Sequence, residues 1–174
     1  MKPKYIMIHN TAVSYDKNAD QFLANNRYHQ AQWNFKSSMG YYLGYNYEIA
    51  KYGKVRKARE SGEETAACYQ ANMNDGRCVH IALDGHFDVE KPYPNQIYAL
   101  RDLMKHLVEK YDIPSTHIVF HSQYASKTCP GNNLELGFVR SLVFPNAEKE
   151  KTNLELKQHI IKAVQDLLIL VRKL

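Results

Sequence analysis

Cysteine is scarce in this chain of 174 residues: Cys68, Cys78 and Cys129 are an odd number at irregular spacing. A small disulfide-stapled secreted domain has an even, dense set, so the pattern points instead to synthesis in a reducing cytosol. Long apolar runs are also missing. Lys2 and Lys4 are followed only by Tyr5 to Ile8 before His9, which is too short for the core of a secretory signal, and no small-residue cleavage site follows. The most apolar stretch, Ala163 to Leu174, is interrupted by Gln165, Asp166, Arg172 and Lys173. It falls well short of the roughly 20 uninterrupted residues that a membrane-spanning helix needs. The expectation is a cytoplasmic chain without a signal peptide and without a membrane span. Repeats and low-complexity tracts are absent as well. Acidic residues are the minority, 18 against 23 Lys and Arg, for a net charge of +5. That balance suits a polyanionic partner such as nucleic acid, an anionic membrane or an acidic cell-wall polymer, or serves solubility alone.

What is present suffices for one domain plus an appendage, since 44% of residues are apolar. Tyr5 to Ile8 reads as a buried strand ending at His9. Asn18 to about Trp33 reads as a helix with Phe22 and Leu23 directed inward. The tyrosine-rich run YYLGYNYEIA, closed by Tyr52-Gly53 and followed by Lys54-Val55, reads as a hairpin. Cys78 to Leu83 is a further strand with Val79, Ile81 and Leu83 on one face, closed by Asp84-Gly85. From Pro94 or Asn95 to Tyr111, Ile97, Leu100, Met104, Leu107 and Val108 recur at three and four, the period of an amphipathic helix. After Ile113-Pro114, the run His117 to Phe120 is a strand delivering His121. Strands interspersed with helices define an α/β fold, with a central, mainly mixed β-sheet flanked by helices.

The end of the chain differs in character. Residues 145–151 form a polar, charged hinge, and Thr152 with Glu155 gives a capping-box signal for a helix over 152–174. Ile160, Val164, Leu167, Val171 and Leu174 are spaced four, three, four and three, with Leu154, Ile161 and Leu168 beside them. Such a C-terminal amphipathic helix folds back on its own domain, self-associates or docks on a partner, or lies on a membrane surface.

The string HSQYASKTCPG places His121, Lys127 and Cys129 within nine residues. An imidazole and a thiolate are typical zinc donors, and three protein ligands leave a position open for water, as a catalytic site needs. The third donor must come from elsewhere, and His9 at the end of its strand is the best candidate. His117, four residues before His121, would pair with it on a helix, but Ile118-Val119-Phe120 is β-prone, so His117 is left out.

With His9, Tyr45, His121, Lys127 and Cys129 placed in this order, the chain resembles the zinc-dependent type 2 N-acetylmuramoyl-L-alanine amidases, among them the phage lysozyme-type amidases and the peptidoglycan recognition proteins. The resemblance runs from Tyr5 to Leu134 through IHNTA, GYNYEIAKYGKV, VHIALDGHFD and HSQYASKTCPG, the last being the most specific. It implies a zinc amidase domain over 1–144, with His9, His121 and Cys129 holding Zn²⁺ and water in the fourth position. It also implies Tyr45 as the active-site tyrosine and Lys127 as the active-site lysine. The implied reaction is hydrolysis of the amide between N-acetylmuramic acid and L-alanine in peptidoglycan or a muropeptide, with no nucleic acid expected. A phage or prophage endolysin, released to the wall after synthesis, is the implied setting; a cytosolic muropeptide-recycling amidase and a non-catalytic peptidoglycan-binding module are the alternatives. The chain departs from the family pattern at Asn46, Gln70 and His80. It also has Ala82 about where some relatives carry a glutamate base, which moves proton handling towards Tyr45, with Asp84 as a fallback.

Overall fold

The computed structural model of the protein describes residues 1–15, 20–145 and 156–165. Its framework is a five-stranded sheet built from β1 (Tyr5–Asn10), β2 (Tyr47–Ile49), β3 (Val55–Lys57), β4 (Cys78–Leu83) and β5 (Ile118–Phe120), in the order β3-β2-β4-β1-β5. β2, β4, β1 and β5 run parallel, and β3 turns back antiparallel on β2 as the expected hairpin, so the sheet is mixed. Its two faces divide the sequence by the strand period of two. Ile6 and Ile8 lie in register with Val79 and Ile81 on β4 and with Ile118 and Phe120 on β5. Together with Ile49 and Leu83 they make one apolar face, fully buried or nearly so.

That face is covered by α3 (Pro94–Tyr111) and α4 (Leu136–Ser141), which bury Leu100, Met104, Leu107 and Val139 against it. Pro94 suits the first turn of α3, where a missing N–H is harmless. Asp112, in the left-handed conformation, ends it with its N–H on the Val108 carbonyl. The opposite face carries Met7, His9, Cys78, His80, Ala82 and Glu48, and is roofed by α1 (Phe22–Trp33) and the short α2 (Ala71–Asn74). The chemistry-bearing residues lie on this second face.

Several expectations need correction. α1 starts at Phe22, because the Gln21 N–H is taken by the Asp84 carboxylate, at 2.8 Å, and Gln21 stands outside the helix as its N-cap. Residues 18 and 19 lie outside the described residues. Leu23 is 60% exposed whereas Phe22 is buried against Leu43 and Ala58, since consecutive helical positions are about 100° apart and only one can face the interior. Tyr41 and Tyr42 precede β2 instead of belonging to it, and Tyr52 is exposed in the hairpin turn. His117 sits in a turn of 3₁₀ helix, stacked on Tyr5 and bonded to the Lys4 carbonyl, away from the metal-ligand candidates. α2 and α4 carry no strong periodic signal and were not expected. Apart from Pro145, the hinge over 145–151 lies outside the described residues, as do the capping pair and the helix end. Residues 156–165 are helical and exposed throughout, and Leu156, Ile160, Ile161 and Val164 are 52–58% accessible.

Candidate metal centre and active-site groove

Parallel strands bring their carboxyl ends to one edge, where open α/β sheets place their sites. β1 ends just beyond His9, and neighbouring β5 ends at Phe120, immediately before His121. Their rings lie 4.6 Å apart, centre to centre. The segment after His121 loops out and returns, with the Ser122 N–H on the Cys129 carbonyl at 2.7 Å, so Cys129 comes back beside both histidines. Donor atoms of His9, His121 and Cys129 all lie within 4.8 Å of one another, close enough to share one ion. Cys129 Sγ is 3.9 Å from His9 Nδ1 and accepts the Asn10 N–H at 3.4 Å.

The return loop is pinned from outside. Asp88 accepts the Thr128 hydroxyl at 2.6 Å and the Asn132 N–H at 2.9 Å, and these bonds hold its carboxyl below the usual range. Gly131 has φ +115, and a Cβ there would stand 2.4 Å from the Phe87 carbonyl carbon, so only glycine fits.

The donor set fits zinc. Two imidazoles and one thiolate are borderline donors in a number that leaves one position open. His121 Nε2 is buried with no hydrogen-bond partner, which is expensive unless something beyond the protein engages the ring. Burial first, then the neighbouring imidazoles and Lys127, push the His9 pKa well below its ordinary value, so the ring is neutral and able to donate a lone pair. Burial raises the Cys129 thiol to about 11, against the opposing pull of the Asn10 N–H and of Lys127.

Two clefts meet at this cluster, and Trp33, Tyr45, His121 and Lys127 line both. One, about 450 Å³, continues past Ala66, Cys68 and Tyr69; the other, about 620 Å³, passes Asn10 to Val13, Tyr28 and Cys129. The Tyr45 ring lies 5.1 Å from that of His9. Its phenol is held well above the ordinary value, chiefly by burial and then by Cys129 and Glu48, so it keeps its proton at neutral pH. The Lys127 side chain is exposed at the junction of the clefts. All five candidate residues therefore come together.

Sequence reasoning missed two histidines beside them. His29 accepts the Gly44 N–H at 3.0 Å and packs its ring against Trp33 and Tyr45, fixing the tyrosine from behind. His80 bonds His9 directly, at 2.9 Å. The strand period alone placed His80 opposite the apolar face, but not next to His9, because strand order is invisible in the sequence. Asp84 is fully buried and paired with Glu48, lines neither cleft, and so does not serve as the fallback base.

Glu48 is in register with Ala82, on the same face as His9. It accepts from Asn25 at 2.9 Å, while Asp84 accepts from Gln21, leaving Glu48 Oε1 and Asp84 Oδ1 with no donor. The two buried carboxyls bear on each other's ionisation, and a proton held on the pair relieves the repulsion between them. Burial first of all raises both pKa values, that of Asp84 to about 6.

Fold and site together describe an α/β protein with a His-His-Cys cluster at the carboxyl edge of a mixed sheet, open to a groove. Comparison with known sequences identifies the family: the N-acetylmuramoyl-L-alanine amidase pattern matches residues 1–132, and the chain belongs to that family. Among solved structures, the N-acetylmuramoyl-L-alanine amidase LysC from Clostridium intestinale superposes with a TM-score of 0.66 at 26% identity, over 80% of this chain and 84% of that one. An endolysin of a Thermus scotoductus bacteriophage shares the fold, with a TM-score of 0.64 at 23% identity over 82% and 86%. Peptidoglycan-recognition protein SC1a of Drosophila melanogaster is 28% identical over 132 residues, 75% of this chain and 69% of that protein.

Proposed function

We propose that the chain is a zinc-dependent N-acetylmuramoyl-L-alanine amidase that cuts the amide between the lactyl group of N-acetylmuramic acid and L-alanine in peptidoglycan. The observation that carries this reading is the convergence of His9, His121 and Cys129 within 4.8 Å, where two clefts join beside Tyr45 and Lys127. Zinc held by these residues would supply an acidified water and polarise the amide carbonyl. The remaining roles belong to the protein. The Lys127 ammonium faces the position where negative charge develops on the carbonyl oxygen and stabilises it. Tyr45, held as a phenol, donates its O–H to orient the attacking water or the oxyanion. The substrate lies in this groove, where exposed Trp33 lines both clefts, Tyr28 one and Tyr69 the other, offering ring faces on which a sugar can stack.

The setting we favour is an endolysin of a phage or prophage, in agreement with the endolysin among the structural neighbours. Among the described residues no helix is long and apolar enough to cross a membrane. Recognition without cleavage is the second reading, since peptidoglycan-recognition proteins are also relatives. Cys129 favours cleavage, because a binding module has no use for a thiolate completing a three-donor set. The deciding experiment incubates the purified chain with peptidoglycan and follows new N-terminal alanine. Its release, abolished by chelation and restored by zinc, is the expected result. Binding to the wall without release would establish the recognition reading instead.

A further inference from the structure

His80 is fully buried on the middle strand, and each of its ring nitrogens has one neighbour. Nε2 lies 2.8 Å from the carbonyl oxygen of Met73, and Nδ1 lies 2.9 Å from Nε2 of His9. A carbonyl can only accept, so the first contact requires the proton of His80 on Nε2. A His80 protonated on both nitrogens would be a buried cation facing a carbonyl and another imidazole with no counter-anion, which is too expensive to persist. Nδ1 of His80 is therefore a lone pair, and the 2.9 Å contact exists only if His9 donates to it from Nε2. That proton assignment leaves the lone pair of His9 on Nδ1, the nitrogen that faces Cys129 Sγ at 3.9 Å.

We infer that His80 is a positioning residue that sets the tautomer of His9, so that Nδ1 is always the free donor towards the metal centre. The chain Met73 carbonyl, His80, His9 ends at the ligand cluster and runs in one direction only. Its middle link is anchored through the backbone. The His80 backbone N–H is bonded to the Asn46 side chain at 2.8 Å, and the Asn46 N–H to the His80 carbonyl at 3.0 Å, so the strand cannot slip. Met73 is buried on α2, the one-turn helix that the sequence does not announce, and its carbonyl is the fixed end of the relay. Without His80, the His9 ring could put its proton on either nitrogen or turn about its own axis, and a share of molecules would present N–H to the cluster. Metal-bound imidazoles generally have such an outer partner, and its removal weakens metal binding by about 10- to 100-fold.

This inference rests on the zinc reading of the cluster, so two measurements separate the failure of one from the failure of the other. The first needs no metal. Long-range ¹H–¹⁵N correlation on the ¹⁵N-labelled apo-protein at neutral pH should show both His80 and His9 protonated on Nε2. A proton on Nδ1 of His9 overturns the inference. The second is a zinc competition titration against a chromophoric chelator, on the wild type, His80→Phe and His80→Gln. The phenyl ring keeps the packing but accepts nothing, and affinity should fall by about 10- to 100-fold. The glutamine offers a carbonyl oxygen to His9 and should recover most of that loss, which a purely structural role would not do. Equal zinc affinity in all three proteins overturns the role of His80 while leaving the metal centre standing. A wild type that takes up no zinc overturns the metal centre, and the role of His80 with it.

Discussion

Glu48→Gln should stabilise this protein at neutral and alkaline pH. Glu48 and Asp84 are almost wholly buried carboxyls held against each other, and burial is the largest cause raising both pKa values. A raised carboxyl pKa means that the folded state keeps a proton which the unfolded chain gives up near pH 4. Between the two values the native state binds more protons, so stability falls as pH rises, by about 1.4 kcal/mol per unit for one proton. Asp84 moves from 3.8 to about 6, roughly two units, which sets a ceiling of about 3 kcal/mol lost between pH 4 and 6, with Glu48 extending the fall to higher pH. The amide is isosteric. Its oxygen can accept from Asn25 as Glu48 does, and its NH₂ supplies the donor that the unpartnered Asp84 oxygen lacks. Asp84 is then free to ionise with Gln21, Arg56 and the new amide around it. The assay is urea unfolding of wild type and variant at pH 5, 6, 7 and 8 with the metal chelated, so that the histidine contributions cancel in the difference. The variant should gain about 1–3 kcal/mol at pH 8, some 2–4 °C in Tm per kcal/mol, and little at pH 5. A difference between the two proteins that does not grow with pH, or a variant less stable than wild type at pH 8, refutes the shared-proton account.

Other expectations follow from the same geometry. Lys127→Ala should keep zinc and lose about 10²-fold or more in turnover, as removal of a transition-state donor does, and near-normal turnover would exclude that role. Gly131→Ala forces a side chain onto the Phe87 carbonyl at a positive φ, and should lower stability by about 2 kcal/mol or more and loosen the metal loop, read as a fall in Tm together with a fall in zinc affinity. Truncation after Pro145, which spares Leu142, Val143 and Phe144 packed on the core, should leave hydrolysis intact. A change in elution volume on sizing would assign residues beyond it to self-association, and loss of hydrolysis would contradict a separate appendage.

The legible parts of this molecule are those set by local period or by a short motif. Val79, Ile81 and Leu83 announced a strand with one apolar face, and Leu100, Met104 and Leu107 announced the helix that covers it. The spacing of His121, Lys127 and Cys129 announced the loop, the apolar strand ending at His9 offered the third donor, and the resemblance led to Tyr45. The residues that were not legible depend on which strand lies beside which. Nothing local says that β4 runs next to β1, so nothing local places His80 on His9, or Glu48 opposite Ala82 with Asp84 beside it. α2 is too short to show a period, yet its Met73 carbonyl anchors His80. His29 is visible only as a helical histidine until the fold brings Tyr45 against it.

The metal content of the purified chain, measured beside Cys129→Ala and His9→Ala, bears most directly on the central claim. About one zinc per wild-type chain, and none retained by either variant after dialysis, is the predicted result for a three-donor site. A wild type free of zinc, or variants that keep it in full, would contradict the reading of His9, His121 and Cys129 as one metal centre.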